Sequence, residues 1–141
     1  MKIDEKMLIE KAREVLGNSY APYSNIHVAA AVLTSKGNVY TGVNVENSSY
    51  GLTICAERSA IAAMVSAGER KPVAVAVVTD MEEPIPPCGA CRQVISEFNA
   101  DALIIMHSVK SGKTIVMSLR ELFPSPFKLS ASSKESIENI T

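Results

Sequence analysis

The chain has 141 residues, 47% of them apolar and 21% charged, with a net charge of −1. That length supports one compact core without disulfides, and the mixed signs leave no basic run to track a phosphate backbone, which argues against a polynucleotide ligand. Residues 1–6 lack the apolar stretch of a signal peptide and no hydrophobic segment is long enough to span a bilayer. The expectation is a cytoplasmic protein with neither membrane nor nucleic acid as partner.

Residues 4–17 predict an amphipathic helix, capped by Asp4, with Leu8, Ala12, Val15 and Leu16 on one stripe. Residues 27–33 and 39–43 flank the turn Lys36-Gly37-Asn38 and predict a hairpin. A polar loop around Glu46-Asn47-Ser48-Ser49 leads to an alanine-rich helix over 55–67, stopped by Gly68. Residues 73–78 form a continuous apolar run, the pattern of a strand covered on both faces. Pro84, Pro86 and Pro87 enforce an extended loop before a helix over 89–98. Residues 102–106 and 114–117 predict two strands around Ser111-Gly112-Lys113, and Arg120-Glu121-Leu122 is at most a short helix. The order α-β-β-α-β-α-β-β implies an α/β fold, with helices on both faces of a mixed five-stranded sheet. Residues 1–129 read as one domain and residues 130–141 as a polar tail.

Three cysteines cannot pair completely, so their placement needs another reason. Cys88 and Cys91 stand in Pro87-Cys88-Gly89-Ala90-Cys91 at a predicted helix start, and Cys55 opens another in Cys55-Ala56-Glu57. Free amides and the dipole at a helix N-terminus favour thiolate over thiol. A Cys-x-x-Cys pair and one further thiolate fill three tetrahedral positions and leave the fourth for water, as in a catalytic zinc site. Water acidified by zinc is a usable nucleophile near neutral pH, and Glu57, beside Cys55, is placed to carry its proton. Two other readings stay open here: a redox pair, and a closed structural site with His107 as fourth ligand.

Cys-Ala-Glu followed by Pro-Cys-Gly-Ala-Cys resembles cytidine deaminase in its short, three-cysteine form. The zinc deaminases carry this Pro-Cys-x-x-Cys pattern, with a glutamate that is not a zinc ligand as the proton carrier. The resemblance runs from Ala21-Pro22-Tyr23-Ser24 to Phe127, about three quarters of the chain, and Asn44-Val45-Glu46-Asn47 makes it more specific. It implies the three-layer α-β-α fold of that family, with one zinc per subunit held by Cys55, Cys88 and Cys91. It also implies hydrolytic deamination of free cytidine and 2′-deoxycytidine in pyrimidine salvage. Zinc-activated water attacks C4 and Glu57 shuttles protons to N3 and the departing ammonia.

By the same resemblance, the Ala56 amide binds the pyrimidine carbonyl, and Asn44 and Glu46 read the ribose 3′-hydroxyl. A carboxylate there also repels a 3′-phosphate, in favour of free nucleosides. Arg58 is the expected donor to a cysteine sulfur, offsetting the negative charge of a three-thiolate zinc, with Arg92 a weaker candidate. Tyr50 and Phe127 occupy positions that reach a neighbouring site, so the expected assembly is a homotetramer with shared sites. Ile26 stands where relatives carry a phenylalanine that packs on the pyrimidine, Ala29 where glycine is usual, and Pro86 where a hydroxyl residue is common. Proline keeps the backbone carbonyl that holds the leaving amino group.

Overall fold

The computed structural model describes residues 2–129; the expected tail over 130–141 lies outside the described residues. Helix α1 spans Glu5–Leu16, and the Asp4 side chain accepts from the Met7 amide at its start, 3.1 Å away. A hairpin of β1 (Val28–Thr34) and β2 (Val39–Val43) follows, then a single 3₁₀ turn at Tyr50–Leu52 and helix α2 (Ala56–Ser66). Strand β3 (Pro72–Thr79), helix α3 (Gly89–Phe98), strands β4 (Leu103–Ser108) and β5 (Thr114–Ser118) and the short helix α4 (Leu119–Leu122) complete the fold. Ser118 and Glu121 close a reciprocal capping box at α4, which explains why so short a helix forms.

The sheet runs β2-β1-β3-β4-β5, with β3 and β4 parallel and every other pair antiparallel. The pairing of β1 is regular at Ala29, which faces Val43 on one side and Val78 on the other. Alternation then divides the sheet into two faces. Ala29, Ala31, Leu33, Ala76, Val78 and Ile105 pack with Leu8 and Ala12 of α1. Ala30, Val32, Val75, Val77, Ile104 and Met106 pack with Ala60, Met64 and Ile95 of α2 and α3. Both faces of β1 and β3 are therefore buried, as the continuous apolar run over 73–78 predicts for β3, and the molecule is the expected α-β-α sandwich.

Two packing details place the site. Gly42 of β2 lies so close to α2 that a Cβ there would stand 2.4 Å from the Ala60 amide nitrogen and 2.8 Å from the Ala56 carbonyl oxygen. Parallel β3 and β4 need a crossover, which α3 supplies on the same face as α2, and the two helices pack against one another. Among the described residues, no helix is long and apolar enough to cross a membrane.

Candidate active site

Cys55 is the N-cap residue of α2 and Cys88 the N-cap residue of α3, and no side chain caps either terminus. Cys91 follows in the first turn of α3 and is buried, while Cys88 is exposed and Cys55 lies between. The three Sγ atoms lie within 4.8 Å of one another, and those of Cys55 and Cys88 are 3.6 Å apart. Zinc–sulfur bonds of about 2.3 Å in tetrahedral geometry space sulfurs roughly 3.8 Å apart, so the donor set fits one zinc ion per chain.

His107 does not join this set. It sits on β4 between Met106 and Ser108, and alternation turns it to the α1 face, opposite the cysteines. There its Nδ1 lies 2.8 Å from the Thr114 hydroxyl. Burial, and after it the charge of Arg13 on α1, hold its imidazole below the ordinary value. The alternative of a closed structural site with His107 as fourth ligand does not fit this placement. Among the described residues, the three cysteines are the group that can hold a metal.

Glu57 is 4% exposed on the first turn of α2. Burial raises its carboxyl to about 7, helped by the negative charge of Cys55, while the Cys91 thiol reaches it and works the other way. The Cys55 thiol is pulled down to about 5, first by the hydrogen bond from Cys91 and then by Arg58. Cys91 is pushed up, because it donates to Cys55 and is itself buried. Arg58 Nη2 lies 3.4 Å from the Cys55 sulfur and 3.5 Å from the Thr53 carbonyl oxygen. Arg92 reaches no sulfur: its Nε donates to the Pro87 carbonyl at 2.7 Å and its Nη1 to that of Leu122 at 2.9 Å. It fixes the loop that delivers Cys88.

Asn44 is a buried pin as well as a candidate ligand group. Its Oδ1 accepts from the Val28 amide at 3.0 Å and from the Ser19 hydroxyl, and its Nδ2 donates to the Ile26 carbonyl at 2.8 Å. One N–H of the amide is left over. Glu46 accepts through Oε1 from the amides of Tyr23, at 2.9 Å, and Ser24, at 3.1 Å, and through Oε2 from the Ser24 hydroxyl. The Ser24 hydroxyl contact, ahead of the others, keeps this carboxyl below its ordinary value. Glu46, Tyr23, Ser24, Asn47, Tyr50 and Thr53 line one cleft, in which the rings of Tyr23 and Tyr50 meet edge to face at 6.2 Å.

Ile26 borders this loop, partly exposed, and Ala56 is buried at the start of α2. Pro86 is exposed on the approach to α3. Tyr50 and Phe127 are 77% and 64% exposed, so neither is core packing within one chain. Two residues not singled out from the sequence help to shape the site. Ser24 ties Glu46 down, and the Gln93 side chain both donates to the Phe127 carbonyl, at 2.9 Å, and accepts from its amide, at 3.2 Å. A glutamine can do this from one side chain because its amide carries donor and acceptor together, but nothing in its spacing announces the partner.

This architecture has close counterparts. Residues 1–107 match the family model described as the cytidine and deoxycytidylate deaminase zinc-binding region. The chain is 44% identical to the cytidine deaminase of Halalkalibacterium halodurans over 89% of its own length and 95% of that protein's. It is 41% identical to the cytidine deaminase of Sporosarcina psychrophila over 89% and 92%. The crystal structure of cytidine deaminase from Burkholderia pseudomallei superposes with a TM-score of 0.84 at 42% identity, covering 89% of this chain and all of the other. With a three-thiolate set that fits zinc and the same sandwich around it, the chain belongs to the cytidine and deoxycytidylate deaminase family of zinc-dependent hydrolases.

Proposed function

We propose that this protein hydrolyses free cytidine and 2′-deoxycytidine to uridine and 2′-deoxyuridine, releasing ammonia, as a step of cytoplasmic pyrimidine salvage. The observation that carries the reading is the pairing of an open three-sulfur metal site with one buried carboxylate on the same helix turn. Cys55, Cys88 and Cys91 would hold zinc, which when bound would supply water acidic enough to react near neutral pH. Glu57 moves the protons: it takes one from that water and gives it to the pyrimidine N3 as the oxygen adds to C4, then takes the proton of the new C4 hydroxyl and gives it to the amino group that leaves as ammonia. One carboxylate serves both because these atoms flank the same carbon. The Ala56 amide, at a helix start that no side chain caps, holds the pyrimidine carbonyl. The Pro86 carbonyl holds the leaving amino group, and Ile26 packs on the ring.

At the sugar end, the remaining N–H of Asn44 and the carboxylate of Glu46 receive the 3′-hydroxyl. The exposure of Tyr50 and Phe127 leaves both free to reach a neighbouring copy's site, and the homotetramer proposed here is the assembly that the family resemblance implies. Residues 1–129 act as one domain in this reading.

Ammonia release and ultraviolet absorbance with cytidine and deoxycytidine, together with zinc quantification, test the proposal. Wild-type protein turns over at least one of the two nucleosides, and Glu57→Ala keeps its zinc while losing turnover by about 10³-fold or more. No ammonia from either nucleoside, or an active Glu57→Ala, overturns it.

A further inference from the structure

We infer that Ser24 is a positioning residue that orients Glu46 toward the substrate's sugar, an inference that rests on the sugar-reading role proposed for Glu46. An ionised carboxylate offers about four lone-pair directions. The amides of Tyr23 and Ser24 take both of those on Oε1. The Ser24 hydroxyl takes one on Oε2. A single direction on Oε2 is left for a ligand, and its aim is set by the hydroxyl beside it.

The same hydroxyl has a second partner. Its oxygen accepts from the Ile26 amide at 3.0 Å. The other side of that residue is held by Asn44, whose Nδ2 donates to the Ile26 carbonyl. Ser24 therefore joins the base-packing residue and both sugar-reading residues into one network, whose members come from a loop and from the end of β2. Asn25, with φ of +58°, makes the sharp turn that lets the hydroxyl face both ways. Alanine at position 24 would leave the two amide contacts on Oε1 in place and free Oε2 to rotate away. Binding of a 3′-hydroxyl would then weaken, with no effect on the sulfurs or on Glu57.

Steady-state kinetics of the zinc-loaded enzyme on cytidine and 3′-deoxycytidine test this. Ser24→Ala raises KM for cytidine about tenfold, the scale of one hydrogen bond to a charged group, and keeps kcat within about twofold. The penalty vanishes on 3′-deoxycytidine, which has no hydroxyl for Glu46 to read. Ser24→Thr, which retains the hydroxyl, restores the cytidine KM. An unchanged KM, an equal penalty on both substrates, or a threonine variant no better than alanine overturns the role of Ser24 and leaves the deaminase reading standing. Wild-type protein inert toward cytidine and deoxycytidine alike overturns both.

Discussion

The guanidinium of Arg58 donates through Nη2 to the sulfur of Cys55, 3.4 Å away and three residues earlier in the chain. Spacing of i to i+3 brings the two onto one side of the first turn of α2. The contact matters because three thiolates carry more negative charge than a divalent zinc cancels, and such a centre acidifies water poorly unless charge is drawn from a sulfur. The guanidinium is in turn held firmly protonated, first by the Cys55 sulfur.

Arg58→Met therefore lowers kcat by about tenfold to a hundredfold, the scale of a hydrogen bond to a charged group. Zinc stays near one equivalent, because no ligand is removed. Metal analysis beside steady-state kinetics checks both halves, and full kcat in the variant means that the sulfur is not tuned from this side.

His107→Ala leaves zinc content and turnover at wild-type levels. The residue faces α1, and the cysteines lie across the sheet. What it loses is the contact with the Thr114 hydroxyl at 2.8 Å, a cost within about 1 kcal/mol in denaturant unfolding. Loss of zinc from this variant contradicts the arrangement described.

Glu69, 6% exposed, fastens the β1–β2 hairpin to the loop between α2 and β3. It accepts from the Tyr40 hydroxyl at 2.5 Å and from Asn38 Nδ2 at 2.9 Å. The Thr34 hydroxyl first, and Tyr40 after it, hold its carboxyl below the ordinary value of 4.5. A carboxyl lowered by folding stabilises the native state at pH above its unfolded value, and that contribution fades as pH falls through the folded one. Glu69→Gln accordingly costs most near neutral pH, and its deficit against wild type shrinks as acid is added below about pH 4.5. Unfolding curves at a series of pH values check this; a deficit that grows with acid contradicts it.

The helices and strands were legible because their signals are local. Asp4 before an apolar stripe, the unbroken run in β3 and the prolines before α3 each act within a few residues. The metal ligands were legible for a similar reason, since Cys88 and Cys91 share one turn and the Cys-Ala-Glu unit is compact. Partners distant in sequence were not. That Asn44 must hold Val28 and Ile26 in place, that Gln93 grips the backbone of Phe127, and that Arg92 serves loop carbonyls all follow from how loops meet helices. His107 lay between the two cases: alternation along β4 gives its face, but only once the register against β3 is known.

Gly42 carries the last prediction, because it packs β2, the strand that leads to Asn44, directly against the start of α2. It lies two residues before Asn44 on β2, and its α-carbon faces the first turns of the helix that bears Cys55 and Glu57. A methyl group there would meet the Ala60 amide nitrogen at 2.4 Å, the Ser59 Cβ at 2.7 Å and the Ala56 carbonyl oxygen at 2.8 Å. Two of these are backbone atoms, which cannot swing aside as a flexible side chain would, so β2 and α2 must separate. Gly42→Ala is expected to cost about 3 kcal/mol of stability, the upper end of ordinary overpacking. It also moves Glu57 and Cys55 away from Asn44, so kcat/KM falls even where the variant remains folded and zinc-loaded. Thermal unfolding, zinc content and kinetics on one preparation separate these effects. A Gly42→Ala protein with wild-type stability and turnover would show that the helix can shift freely, and that this contact does not set the span of the site.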